Sequence, residues 1–202
     1  MAHFGHPFYG ERDTPASYSD SPMRLYTYVA LLRGVNVGGR GRISMEHLRG
    51  VFVDLGYSDV ASYVQSGNVV FAAKTSDTTI LRSTLEEKIS DDLGVDASVL
   101  IRSAEQMKAV LHKNPFSGRT DDPTKLHVTF LGDLPAPALV SELPADRGGS
   151  DEFSVVGSDI YLFCPGGYGE TKLGNAFFER RLATRATTRN WKTVTKLTEM
   201  SS

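Results

Sequence analysis

Two glycine-rich segments, each joining a predicted strand to a predicted helix, are the parts of the sequence best suited to bind an anion. The first covers residues 33–42 and includes Arg33, Asn36, Gly38, Gly39 and Arg40. Backbone N–H groups at such a junction, together with a helix N-terminus, can hold a phosphate or a carboxylate. It is not a P-loop, because no Gly-Lys-Ser/Thr follows, and Ser44 stands where the dinucleotide fingerprint needs its third glycine. The alternative is a plain β–α connection whose glycines supply positive φ angles.

The second glycine-rich segment runs from Pro165 to Lys172 and precedes a helix predicted from about Glu170 to Ala183. It would place Lys172 in the first helical turn, where a cation is unfavourable unless an anion shares the site. The alternative is a surface loop before a helix.

A basic stretch near the end of the chain, Arg185 to Lys196, suggests phosphate contacts. On a helical wheel Arg189, Lys192 and Lys196 fall within about 60° of one another. A basic stripe above an apolar side suits phosphate binding. Trp191, on the apolar side, either stacks on a base or anchors the helix in the core.

The charge is balanced overall but not locally. The net charge is −2, and from Lys172 onward seven basic residues face two acidic ones, so this segment carries +5 and the preceding 171 residues carry −7. Such an asymmetry marks an anion-binding surface or a solvated helix face. The sequence pI of about 6.2 is unlike that of a dedicated basic DNA-binding domain.

The sequence offers few conventional catalysts. His3 and His6 have the spacing of a metal pair but lie in a segment without helical or alternating apolar periodicity, and Cys164 has no motif that would supply an activating base. We therefore predict no metal and no cofactor. The single cysteine excludes an internal disulfide framework and favours a reducing cytoplasm, and without a long apolar run we predict no membrane segment.

The first half of the chain predicts the order β-α-β-β-α-β. A buried strand over Leu25–Arg33 precedes a helix capped by Ser44, a hairpin of residues 60–65 and 68–73, a helix capped by Asp77 and a strand over 97–102. This order is typical of a ferredoxin-like domain. Ser103 and Gln106 then form a capping box that begins a third helix.

The second half repeats this pattern more loosely. We predict a strand over 125–131, a short helix over 136–143, a hairpin around Gly157, the helix from Glu170, a brief strand over 185–188 and a last helix over 191–200. The prediction is an α+β protein of two tandem ferredoxin-like halves, residues 25–113 and 125–200. A flexible arm covers residues 1–23 and a linker covers residues 114–124.

Five sequence blocks occur in the order typical of one family. They are YVALLRGVNVGG from Tyr28, YVQSGNVVF from Tyr63, NPF from Asn114, KLHV from Lys125 and RNWKTVTKL from Arg189. The chain resembles the bacterial domain-of-unknown-function family 1697 over about residues 25–199. The resemblance implies a cytosolic bacterial α+β protein and provides no catalytic residues.

Together these features favour a non-catalytic anion-binding module whose ligand is nucleic acid or a nucleotide. The alternatives are an enzyme for a small phosphorylated or carboxylated substrate and a plain dimeric interaction module, so the protein is either a monomer or a homodimer. The candidate ligand-binding residues are Arg33, Asn36, Gly38, Gly39, Arg40, Gln65, Ser66, Asn68, Lys172, Arg189, Asn190, Trp191 and Lys192.

Overall fold

The computed structural model describes Met1, residues 24–36 and residues 43–202. The rest of the arm predicted for residues 1–23 and the candidate residues Gly38, Gly39 and Arg40 lie outside this description. In the described ranges, no helix is long and apolar enough to cross a membrane.

The fold is α+β, and the described residues form two four-stranded antiparallel sheets and six α-helices. In chain order the elements are β1 (Tyr26–Arg33), α1 (Met45–Asp54), β2 (Ser58–Ser62), β3 (Asn68–Ala73), α2 (Thr78–Leu93), β4 (Ser98–Ser103), α3 (Ala104–His112), β5 (Leu126–Leu131), α4 (Pro137–Ser141), β6 (Glu152–Val156), β7 (Asp159–Phe163), α5 (Asn175–Leu182), β8 (Ala186–Asn190) and α6 (Trp191–Met200).

The two sheets have the same pattern of neighbours. In the first, the strand order is β2-β3-β1-β4, and in the second it is β6-β7-β5-β8. The first strand of each half therefore lies inside its sheet, paired antiparallel on both sides. β8 lies at one edge of the second sheet, and its pairing with β5 sets Arg189 opposite Val128.

Three hydrophobic clusters explain why the interior strands are almost continuously apolar. One cluster fills the space between the first sheet and helices α1 and α2, and another lies between the second sheet and α5. The middle cluster joins the two halves, because Val29 and Leu31 of β1 contact the same core as Val128 and Phe130 of β5. β1 and β5 thus bury side chains on both faces, which an alternating polar pattern would not allow.

Helices α3 and α6 contribute to the middle cluster between the sheets. Phe116, from the segment predicted as a linker, is also buried there and stacks on Phe163, with ring centroids 6.2 Å apart. Segment 114–124 therefore contributes a side chain to the core that the two halves share.

In the part of the chain that the structure describes, four arginine–carboxylate pairs connect the two halves. They are Arg33–Glu179, Arg82–Asp133, Arg102–Asp159 and Arg185–Glu86. Most are partly exposed, but Arg102 is buried and also donates to the carbonyl of Leu131. The shared core and these pairs together fix the ends of β1 and β8 beside each other.

The helix starts that we predicted from capping residues are confirmed. Ser44 caps α1, Asp77 caps α2, and Ser103 and Gln106 form a reciprocal capping box at α3. Each cap uses a side-chain oxygen to satisfy an N–H that has no partner within the helix. Such signals depend on a few adjacent residues and are therefore readable in the sequence.

Two predictions in the second half are wrong. The helix predicted from Glu170 begins at Asn175, and residues Tyr168–Glu170 form a short 3₁₀ turn. Lys172 consequently lies in an exposed loop rather than in a first helical turn. Arg189 belongs to strand β8 rather than to the last helix, so the predicted helical stripe of Arg189, Lys192 and Lys196 does not exist.

Candidate functional site

A cleft of about 390 Å³ opens where the end of β1, the β2–β3 loop and β8 meet. We call it the inter-sheet cleft. Its walls come from both halves and comprise Leu32, Gly34, Val35, Asn36, Val64, Gln65, Ser66, Tyr168, Asn175, Thr187, Thr188 and Arg189. Of the cavities described, it is the one that gathers most of the residues predicted to bind an anion.

Arg189 connects β8 to the wall of the cleft that belongs to the first half. It is only 8% exposed. Its Nε donates to Asn68 Oδ1 (2.5 Å), Nη1 to Thr187 Oγ1 and the Thr188 carbonyl, and Nη2 to the carbonyls of Leu32 (2.8 Å) and Ser66 (3.1 Å). These five bonds use all five N–H groups of the guanidinium.

All of these acceptors are neutral, so the charge of Arg189 is hydrogen-bonded but not neutralised. Among the described residues no carboxylate lies within 4 Å of this guanidinium. Burial lowers the pKa of Arg189 to about 10, so the group stays positively charged near neutral pH. A buried cation without a counter-ion makes the electrostatic potential of the cleft positive.

The β2–β3 loop is held in place by Asn68, which is fully buried at the start of β3. Its Nδ2 donates to the Tyr63 carbonyl and to Ser66 Oγ, each at 3.0 Å. Gly67 allows this turn, because its φ is +71° and an added Cβ would overlap Leu32 and Val35. Asn68 and Gly67 therefore set the position of the loop against β1.

Asn36 fastens the β1–α1 connection to the same loop. Its Nδ2 donates to the carbonyls of Gln65 (2.7 Å) and Ile43 (3.0 Å), and its Oδ1 accepts from Ile43 N–H. The residue has a φ of +56°, a left-handed conformation that asparagine tolerates better than most residues. With both amide hydrogens engaged, Asn36 shapes the cleft wall.

Asn175 and Thr188 form the wall that belongs to the second half. Thr188 Oγ1 donates to Asn175 Oδ1 (2.6 Å) and also bonds with Thr129 Oγ1 (2.7 Å). Asn175 is the first residue of α5, and the preceding Gly174 makes no side-chain cap. Asn175 Nδ2 and Gln65 Nε2 donate to no acceptor among the described residues, and both residues line the cleft.

Tyr168 covers the same wall and stacks on a buried histidine. Its ring lies 4.7 Å from the ring of His127, tilted by 25°. Burial raises the pKa of Tyr168, and burial lowers the pKa of His127 to about 4. His127 Nδ1 is buried without a hydrogen-bond partner among the described residues. Both side chains are therefore uncharged at neutral pH and leave Arg189 as the dominant charge.

The structure brings together five of the predicted candidates. Asn36, Gln65, Ser66 and Arg189 line the inter-sheet cleft, and Asn68 holds Arg189 from behind it. Arg33 does not line the cleft, because its guanidinium pairs with both carboxylate oxygens of Glu179 at 2.5 and 2.6 Å.

The remaining described candidates lie elsewhere. Lys172 is in the loop before α5, and Asn190 caps α6 by accepting from Thr193 N–H. Trp191 packs partly against the middle cluster, so it anchors α6 while leaving part of its surface open. Trp191 and Lys192 line a different pocket.

Four polar residues of the cleft were not among the predicted candidates: Tyr168, Asn175, Thr187 and Thr188. Tyr168 lies inside the second glycine-rich segment, so the sequence contained a signal for it. The two threonines belong to a short polar strand, and Asn175 begins a helix that the sequence placed five residues too early. No motif distinguishes these three residues.

Comparisons with known proteins place this chain in a family. The sequence model described as "Protein of unknown function (DUF1697)" matches residues 25–161. The chain belongs to this family. No curated protein matches it. The match includes the first-half walls of the cleft and ends before Tyr168 and Arg189.

A solved structure similar to this DUF1697 protein is that of the conserved bacterial protein SP0830 from Streptococcus pneumoniae. The two chains are 24% identical and superpose with a TM-score of 0.67 over 89% of this chain and 100% of the other. At this identity the similarity shows that the two proteins share a fold.

Proposed function

We propose that this protein binds a small organic anion in the inter-sheet cleft, with a mononucleotide as the favoured ligand. The observation that carries the proposal is the buried charge of Arg189, which no carboxylate among the described residues balances. Burying a charge is costly unless the charge is both hydrogen-bonded and paired with an opposite charge, and Arg189 has the hydrogen bonds without the paired charge. A bound phosphate or carboxylate would supply the missing opposite charge.

Arg189 acts in this proposal through its charge rather than by direct hydrogen bonds. All its N–H groups already have protein acceptors. The ligand's oxygens would accept instead from the side-chain amides of Gln65 and Asn175, which border the cleft from opposite halves. Charge-assisted hydrogen bonds of this kind are stronger than neutral ones.

The shape of the site favours a small ligand over a long nucleic-acid strand. A concave volume of about 390 Å³ is in the range of small-molecule sites. A strand would need a continuous basic surface, but Arg189 is buried in β8 and Lys196 pairs with Glu199 on α6. The walls also carry no pair of titratable groups suited to acid–base chemistry among the described residues, which favours binding over reaction.

We also infer that each half is a ferredoxin-like unit, residues 25–113 and 125–200. The support is that both halves run β-α-β-β-α-β and that in each sheet the first strand lies between the third and the fourth. An experimental structure tests this inference directly. A parallel, doubly wound sheet in either half would contradict it.

The function is tested by fluorescence anisotropy and calorimetry with three probes at low and moderate salt. The probes are adenosine monophosphate, a single-stranded oligonucleotide and a duplex. We expect saturable binding of the mononucleotide, with affinity reduced about tenfold in each of Gln65→Ala and Asn175→Ala, because each removes one charge-assisted hydrogen bond. Lys74→Gln, an exposed change just after β3 and outside the cleft, is the control and should leave the affinity unchanged. If no probe binds saturably, the proposal is wrong.

A further inference from the structure

A second pocket, of about 330 Å³, lies between the end of β2 and one face of α6. We call it the Tyr63–Trp191 pocket. Its principal lining residues are Tyr63, Pro123, Trp191, Lys192, Lys196 and Glu199. It shares no lining residue with the inter-sheet cleft, although Tyr63 directly precedes Val64 of the cleft wall.

The walls of this pocket present flat apolar surfaces. Tyr63 and Trp191 both pack against the middle hydrophobic cluster, yet each remains only half-buried. The exposed Pro123 adds a third rigid, largely apolar surface. Aromatic side chains that border a concave site bind planar rings by stacking, which adds to the free energy gained from apolar burial alone.

The charge of the pocket rim favours an anion. Lys196 pairs with Glu199 at 3.1 Å, so these two charges largely cancel. Lys192 is exposed and forms no ion pair within 4 Å among the described residues. Because Lys192 lies in the first turn of α6, where no acidic residue offsets it, its charge is unfavourably placed. An anionic group at the rim would relieve that unfavourable interaction.

We propose that the Tyr63–Trp191 pocket is a second binding site, whose ligand is a planar aromatic ring carrying one negative charge. The ring stacks between Tyr63 and Trp191, and the anionic group pairs with Lys192. This site is independent of the proposed function of the inter-sheet cleft, because the two cavities have different lining residues.

Trp191 makes the proposal directly measurable, since it is the single tryptophan of the chain. The probe is 2-naphthoate, with cyclohexanecarboxylate as a control of equal charge that lacks an aromatic ring. The neutral 2-naphthalenemethanol is the control that has the ring without the charge. Tryptophan fluorescence follows each titration, and calorimetry provides a second readout that does not depend on the fluorophore.

We expect 2-naphthoate to quench Trp191 saturably and cyclohexanecarboxylate to bind at least about fivefold more weakly, because it cannot stack. Lys192→Gln should lower the affinity for 2-naphthoate about fivefold, while the affinity for 2-naphthalenemethanol should stay within about twofold of wild type. Tyr63→Leu, which keeps apolar bulk but removes the ring, should lower the affinity for both naphthalene compounds. Lys74→Gln, an exposed change outside both cavities, should affect none of them.

Two results would overturn the proposal. One is quenching that does not saturate or that calorimetry does not reproduce, which would mean that no site exists. The other is equal 2-naphthoate affinity in the wild type, Lys192→Gln and Tyr63→Leu, which would place the ligand elsewhere. Far-ultraviolet circular dichroism of each variant establishes that it is folded before it is titrated.

Discussion

Arg189 Nε and Asn68 Oδ1 lie 2.5 Å apart, although the two residues are 121 positions apart in the chain and belong to different sheets. Both side chains are buried. The amide of Asn68 at the same time holds the Tyr63 carbonyl and Ser66 Oγ. One asparagine therefore orients both the β2–β3 loop and Arg189, the only charged side chain among the described residues that line the inter-sheet cleft.

Replacing Asn68 by alanine should destabilise the protein strongly. Asn68→Ala leaves Arg189 Nε, the Tyr63 carbonyl and Ser66 Oγ without their partner, and buried polar groups without partners are costly. We expect a loss of about 2–4 kcal/mol in the free energy of unfolding, measured by urea denaturation. Gln65→Ala, an exposed change in the same loop, should stay within about 0.5 kcal/mol of wild type. Equal stabilities of the two variants would mean that the network contributes little.

The backbone of Val64 is strained, and relieving the strain should stabilise the fold. Val64 has a φ of +50°, which is unfavourable for a β-branched side chain, and 48% of the residue is exposed. Asparagine tolerates this conformation, so Val64→Asn should raise the urea midpoint, by about 0.5–1 kcal/mol in unfolding free energy. Val53, which is exposed in α1, provides the control: Val53→Asn should give no gain. A loss of stability in Val64→Asn would show that the contacts of the valine side chain stabilise the fold by more than its backbone strain destabilises it.

His127 should make the protein less stable in mild acid. Burial lowers the pKa of this histidine from 6.5 to about 4, so the folded state holds it neutral while the unfolded chain accepts a proton more readily. The stability that comes with a neutral His127 is therefore fully present above pH 6.5 and is lost as the pH falls towards 4. The total loss should reach up to about 3 kcal/mol.

The measurement is the unfolding free energy between pH 7 and pH 4 in wild type and in His127→Phe. Because His127 Nδ1 has no partner among the described residues, the phenylalanine loses no hydrogen bond at that atom. Its pH dependence should be flatter than that of wild type. His112→Gln, an exposed change at the end of α3, should retain the wild-type slope. A slope in His127→Phe as steep as in wild type would assign the effect to other groups.

Cys164 should react slowly with thiol reagents in the folded protein. The residue is fully buried, and burial together with nearby Asp151 raises the pKa of its thiol to about 11. Since the thiolate is the reactive form, we expect modification by a disulfide reagent to be at least about a hundredfold slower in native protein than in urea. Rapid reaction of the native protein would instead indicate an accessible, activated cysteine.

Much of the fold could be predicted because its signals are local. The caps at Ser44, Asp77 and Ser103 each depend on residues within three positions, and the apolar run of β1 follows from burial on both faces. The prediction for the second half of the chain was less accurate. There the segment from Pro165 to Gly174 forms a 3₁₀ turn and a loop, so the helix starts later than its apolar spacing indicates.

The site could be predicted only in part, because its central interaction is not local. From the sequence alone, Arg189 could belong either to a helix together with Lys192 or to a polar strand. The pairing of β8 with β5 places it in a strand. Three of the five acceptors of Arg189 belong to Asn68, Leu32 and Ser66, more than 100 positions earlier in the chain. A sequence shows that an arginine is present but does not show whether distant neutral groups will surround it.

Anion binding in the inter-sheet cleft depends most on the unbalanced charge of Arg189, and one substitution at Asn68 places an opposite charge beside it. Asn68→Asp keeps an oxygen acceptor for Arg189 Nε and adds a carboxylate that balances its charge. It also loses the Nδ2 donor to the Tyr63 carbonyl and Ser66 Oγ, and Asn68→Ala, which loses the same donor without adding a charge, controls for that loss. Gln106→Glu adds the same charge at an exposed position of α3 and keeps the capping box, so it serves as the control.

The decisive measurement is the affinity for adenosine monophosphate by isothermal titration calorimetry in wild type, Asn68→Asp, Asn68→Ala and Gln106→Glu, with folding of each verified by circular dichroism. Asn68→Asp should bind more weakly than Asn68→Ala, because only the aspartate balances the charge of Arg189. We expect wild type and Gln106→Glu to bind alike, and Asn68→Asp to bind at least about tenfold more weakly. Wild-type affinity in a folded Asn68→Asp variant would contradict the account, because the charge of Arg189 would then have no part in binding.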